Sequence, residues 1–247
     1  MNETHYAGVY WGARQEAPAR CAERAAKLLA SLPSVDGSLA HWFQQGKSRK
    51  DARKRPIDLT LPALEELIRR GKDRQFDDLG FSVAGWNGAD DDQDACGFNF
   101  TCGSYSKWVQ NACVFTLPAR GPNSDRVLTA PALGGLLRIM ASAWEPDWGV
   151  AMSDPLRERL KSRCAKGGPY VGWVTYLARR RGAVPPLPTP VSIESVEDKG
   201  TLIVLTPERF TVANPEHVAL AERVHELLDR AGLLGPLNPS QPAAPTT

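Results

Sequence analysis

The chain has 247 residues, and 30 Lys and Arg stand against 28 Asp and Glu for a net charge of +2. That length allows one sizeable core, and the near balance of charge points neither to nucleic acid nor to an acidic partner. No run of eighteen apolar residues occurs, which excludes a membrane-spanning helix.

The opening stretch, MNETHYAGVYWGAR, lacks a basic segment followed by an apolar one, so no secretory signal is read and a cytoplasmic location is expected. Within it, Tyr6, Gly8 and Tyr10 alternate with Ala7, Val9 and Trp11, the period of a strand covered on both faces. Glu16 and Pro18 open a helix whose stripe is Cys21, Ala25, Leu28, Leu29 and Leu32, and Pro33 stops it. Ser38 is placed to cap a short helix carrying Leu39, Trp42 and Phe43. Lys47 to Arg55, KSRKDARKR, is strongly basic. It reads either as a phosphate-contacting patch or as a solvated loop or helix face, and the absence of interleaved aromatic residues favours the second. Thr60 starts the next helix, with Leu64, Leu67 and Ile68 inward and Gly71 at its end.

Three strands are then predicted in succession, around Phe81–Gly85, Phe98–Cys102 and Ala112–Leu117. Their connections are short, which favours antiparallel neighbours, and they are expected to form the centre of a sheet. At one tip, Trp86, Asn87 and Gly88 lead into four carboxylates, Asp90, Asp91, Asp92 and Asp94. An aromatic residue beside exposed carboxylates has the composition of an interface anchor with a charged rim. It equally fits a tryptophan covering the end of the core next to a solvated loop.

ARGPNSDR follows as a loop. Thr129 and Pro131 open a strongly apolar helix with Leu133, Leu136, Leu137, Met140 and Trp144 on one stripe, expected to lie across the sheet. Trp148–Met152 and Tyr170–Leu177 read as strands separated by a short helix from Asp154. Val191–Val196 and Thr201–Thr206 flank Glu197-Asp198-Lys199-Gly200 as a hairpin. Asn214 and Pro215 open the last helix. The predicted fold is α+β, a mostly antiparallel sheet with helices packed on it. Residues 1–235 form a single domain, and the proline-rich stretch 236–247 is expected to be disordered.

Catalytic signatures are sparse. No P-loop, dinucleotide fingerprint, GxSxG elbow or HExxH occurs. His5, His41, His217 and His225 lack zinc-ligand spacing. Asp90, Asp92 and Asp94 sit at positions one, three and five of a calcium-type loop, but Ala95 and Thr101 replace the required Gly and Glu. Glu197 and Lys199 have nuclease-like spacing but fall on a hairpin tip. Five cysteines without a CxxC pair fit reduced, buried thiols. No cofactor, metal or catalytic residue is assigned.

Three stretches in order resemble the immunity protein 52 family: Tyr10-Trp11-Gly12 with Arg14 and Glu16; Leu79-Gly80-Phe81 leading to Trp86-Asn87-Gly88; and Cys102-Gly103 with Tyr105 and Asn111. The resemblance runs from about Tyr6 to Leu228 and brings no functional residue with it. It implies a non-enzymatic antitoxin that binds a toxin of bacterial competition, including toxins delivered by type VI secretion. The expected partner is a nuclease domain of the restriction-endonuclease type, with no membrane and no direct nucleic-acid contact. On that reading Trp86, Asn87, Asp90, Asp91, Asp92 and Asp94 are the candidate toxin interface. An enzyme acting on nucleic acid or phosphate, and an adaptor subunit of a secretion apparatus, are the alternatives.

Overall fold

A computed structural model describes residues 3–237. Eight strands build one antiparallel sheet: β1 (His5–Trp11), β2 (Phe81–Trp86), β3 (Gly97–Cys102), β4 (Asn111–Thr116), β5 (Trp148–Ser153), β6 (Val174–Ala178), β7 (Ser192–Val196) and β8 (Gly200–Val204). Across the sheet the order is β2-β3-β4-β1-β5-β6-β8-β7. The α+β, antiparallel expectation is met. β2, β3 and β4 do pair in succession, but they are not the centre of the sheet: they form one flank, with β2 at the edge. β1 comes from the start of the chain and inserts beside them, so that Val9 pairs with Cys113 on one side and Gly149 on the other.

The helices are α1 (Pro18–Ser31), α2 (Arg49–Ala52), α3 (Leu61–Arg70), α4 (Pro122–Val127), α5 (Ala130–Trp144), α6 (Asp154–Leu160) and α7 (Pro215–Arg230). α5 crosses β1, β5, β6 and β8, as its apolar stripe requires, while α1 packs on α5 and α3, and α3 lies against β2. Leu28 and Leu29 of α1 are buried, each contributing about 1.5–3 kcal/mol of hydrophobic stabilisation. Glu16 anchors the start of α1 in this layer. It accepts from Arg24 at 2.8 Å and Arg14 at 3.1 Å, and Arg24 also donates to the Ala143 carbonyl at 2.8 Å, tying α1 to the end of α5.

α6, α7 and the chain between them lie on the opposite face. Arg157 of α6 stands over the ring of Tyr6, Gly172 packs against Val150, and Cys164 meets His225 of α7 at 3.6 Å. They cover only the β5, β6 and β8 half, burying Trp148, Val150, Thr175 and Ile203. The β2-β3-β4-β1 half is left open. There Ser82, Thr101, Ala112 and Tyr10 form one row across the strands, and Ala84, Asn99, Val114 and Gly8 form the next. The phenol of Tyr10 lies along its own strand over Gly8, where a β-carbon would come within 2.7 Å of the hydroxyl oxygen.

Two local expectations are corrected. Ser38 does not cap a helix through Phe43. A single 3-10 turn, Gly37–Leu39, forms instead, and Asp36 caps it by accepting from the Ser38 amide at 2.9 Å. Phe43 then runs extended, its amide donating to the Trp86 carbonyl at 2.8 Å, because the open edge of β2 offers it partners. The expected loop at ARGPNSDR contains α4, which starts at Pro122. The expected disorder of the tail concerns residues of which 238–247 lie outside those described.

Candidate functional site

The β2–β3 connection, residues 87–96, is the predicted acidic tip. Its neck is closed by Asn87, whose amide donates to the Cys96 carbonyl at 3.0 Å and whose side-chain oxygen accepts from the Cys96 amide at 3.0 Å. The Asn87 side-chain nitrogen reaches the Ser38 carbonyl at 3.2 Å. Gly88 turns the chain at φ +79°, a conformation other residues resist, with Phe43 too close to admit a β-carbon. Asn87 is therefore a turn-forming residue with little of its polar surface free.

The four carboxylates have separate environments. Asp90 pairs with Arg53, and that hydrogen bond holds the Asp90 carboxyl below the usual range. Asp92 pairs with Arg49. Asp91 accepts from the Gln93 amide at 2.9 Å, a local turn bond. Asp94 turns inward and accepts from the amides of Asn123 at 2.9 Å and Ser124 at 3.2 Å, so it caps α4 in the absence of a capping side chain at Gly121. At neutral pH, Asp90, Asp91 and Asp92 with Arg49 and Arg53 leave this outer group with one net negative charge.

The basic run and the acidic tip thus meet. Ser48 caps α2, its hydroxyl accepting from the Asp51 amide at 3.2 Å, and this turn presents Arg49 and Arg53 to the tip. Arg55 pairs with Asp51 at 3.0 Å. These three arginines are engaged with carboxylates, which leaves the phosphate-patch reading of the run with less free charge. Trp86 is half-buried: Phe43 lies 6.2 Å away on one side, and Arg53 stands 5.8 Å over the ring. Cys96 is buried beneath the loop, which pushes its thiol up to about 12 and leaves it inert at neutral pH.

The remaining sequence candidates lie apart. Glu197, Asp198 and Lys199 occupy the β7–β8 turn, with Lys199 and Glu197 paired at 3.5 Å. Among the described residues, no three His, Cys, Asp or Glu side chains converge as a metal site. Among those residues, too, no helix is long and apolar enough to cross a membrane.

Sequence reasoning missed an exposed indole. Trp108, in the β3–β4 loop, is 90 % exposed, and Tyr105 and Val109 are exposed beside it in sequence. The loop is held by the Tyr105 amide, which donates to the Asp78 carbonyl at 2.9 Å, and by the Gln110 side chain, which donates to the Gly167 carbonyl at 2.9 Å. Its flanking residues, Ser106-Lys107 and Gln110, are polar, and that was the available signal against a core tryptophan.

Comparison with solved structures finds the same fold in the Pseudomonas aeruginosa T6SS protein PA0821, with a TM-score of 0.53 and 15 % identity, covering 90 % of this chain and 72 % of that one. No curated protein matches the sequence. The family model described as Immunity protein 52 matches residues 3–237. The chain belongs to the immunity protein 52 family.

Proposed function

We propose that this protein is an antitoxin that acts by binding, without catalysis of its own, and that its partner is a secreted bacterial toxin with a nuclease domain. The observation that carries the reading is the family match across residues 3–237. The likeness to a T6SS protein agrees with delivery of the toxin by a type VI system. The cytoplasm is where a nuclease toxin meets its substrate and where this protein works.

The tip formed by Asp90, Asp91 and Asp92, together with Trp86, is the proposed rim of the toxin contact. Two of its carboxylates are held in place by arginines, so little side-chain freedom is lost when a partner arrives. With one net negative charge, the tip contributes ordered hydrogen-bond acceptors rather than long-range attraction. Asn87 and Asp94 support this loop from behind.

The test is purification of the complex with the toxin domain, followed by a nuclease assay. A stoichiometric complex without nuclease activity is expected. Full nuclease activity in the presence of excess protein would overturn the reading. Replacing Asp90, Asp91 and Asp92 by Ala takes this group from one net negative charge to two positive, and is expected to weaken binding about tenfold and to change its salt dependence; unchanged affinity would remove the tip from the contact.

A further inference from the structure

Among the described residues, the helices leave one half of the sheet open on one face. Four neighbouring strands, β2, β3, β4 and β1, present one face that α6 and α7 leave uncovered except at its border, where Arg157 of α6 stands over Tyr6. None of the outward residues of these strands is Asp, Glu, Lys or Arg, although 23 % of the chain is charged. A solvated antiparallel face ordinarily alternates polar residues with the buried ones, and here the polar ones are Ser82, Asn99, Thr101, Thr116 and the two tyrosines, with no charge among them. Depletion of charge inside a patch, with charge at its border, is instead the composition of an interface core and rim.

The border fits that pattern. At the end where β2 and β3 are joined stand Trp86, Arg53 and the Asp90–Asp92 tip. At the opposite end is the β3–β4 loop with Trp108. Along the seam with α6, Tyr6 and Tyr10 are half-buried and Arg157 stands 5.8 Å over the Tyr6 ring. Trp, Tyr and Arg are the residue types that concentrate binding energy at protein interfaces. The floor between them is low, because Gly97, Ala84 and Ala112 carry little or no side chain.

We infer that this uncharged sheet face is the principal docking surface for the toxin, which lays an uncharged, protruding segment on the strands with Trp86 and Trp108 at its two ends. The inference rests on the antitoxin reading above and adds the face used. The toxin is named as the occupant because the immunity-family match spans residues 3–237, and because Trp86, in the end row of this face with Gly97 and Thr116, adjoins the Asp90–Asp92 tip.

The test is the double variant Asn99→Arg and Thr116→Arg. Both residues are exposed on the floor, so the fold is expected to survive, checked by circular dichroism and the denaturation midpoint. Placing unpaired guanidiniums under a docked partner is expected to weaken toxin binding about 100-fold. Should the double variant misfold, Thr116→Cys labelled with a maleimide gives the same information: the label is expected to be blocked in the complex and to react freely without the toxin. Wild-type protein that binds the toxin while both variants keep full affinity and labelling would overturn the face and leave the antitoxin reading intact. Wild-type protein that fails to bind the toxin would overturn both. A free chain with twice the expected mass by light scattering, returned to a single chain by the arginine variant, would assign the face to a second copy and overturn the toxin as occupant.

Discussion

Arg53 lies over the indole of Trp86, 5.8 Å from the ring centroid, and donates from there to the Gly88 carbonyl at 2.7 Å. One side chain from the basic run therefore covers the tryptophan and orders the acidic loop beyond it. Because Arg53 and Asp90 are both exposed, Arg53→Ala is expected to cost at most about 1 kcal/mol in a denaturation experiment. It should make toxin binding more salt-sensitive, because one more carboxylate is left uncompensated. A loss of several kcal/mol would show that the pairing is part of the folding core.

Asp94 has the opposite character. It serves α4, and Asp94→Ala is expected to cost about 1 kcal/mol, the usual value of a helix cap. Asp94→Asn keeps the side-chain oxygen that accepts from Asn123 and Ser124, and should recover most of that loss. Equal destabilisation by both substitutions would contradict the capping role.

The Glu16–Arg24 pair is buried, with side-chain exposures of 8 % and 10 %. Arg24→Ala leaves the Glu16 carboxylate with only Arg14 as a cationic partner in a poorly solvated site. A loss of about 3–5 kcal/mol is expected. Adding Glu16→Gln should restore part of it, which a double-mutant cycle measures directly; a strictly additive result would rule out coupling between the two residues.

Asp36 ties the α4 region to the turn after α1. Arg126 donates to both its oxygens, at 2.8 and 3.3 Å, and chiefly this holds the carboxyl down at about 2, against an ordinary value of 3.8. A carboxyl lowered on folding stabilises the protein above its unfolded pKa and loses that contribution as pH falls through its folded one. The contribution is therefore complete above about pH 4 and is lost towards about pH 2. Asp36→Asn is expected to flatten stability against pH in that window. An unchanged acid limb would show that other carboxylates carry it.

The strands and helices were largely legible because their signals are local: α1, α3 and α5 lie where the 3.6-residue stripes placed them, and α7 starts at Pro215 after Asn214. The order of the strands was not. Nothing in the β1 segment records that it inserts between β4 and β5, because its partners, Cys113 and Gly149 for Val9, lie more than a hundred residues away. The short helix expected at Ser38 failed for a related reason, since the free edge of β2 draws Phe43 into extended pairing. At the site, the acidic residues and the basic run were each plain in the sequence. Their mutual neutralisation, joining Arg49 to Asp92 and Arg53 to Asp90, was not, because it depends on where the one-turn helix α2 comes to rest. Trp86 and Trp108 show the same limit: composition alone does not say which indole faces solvent.

The most direct measurement of the central claim is bacterial growth. Cells carrying an inducible copy of a candidate toxin with a nuclease domain are grown with and without co-expression of the protein. The antitoxin reading predicts survival and intact chromosomal DNA only when the protein is present. Death and DNA degradation at the same rate in both cultures, with the protein folded and abundant, would contradict it.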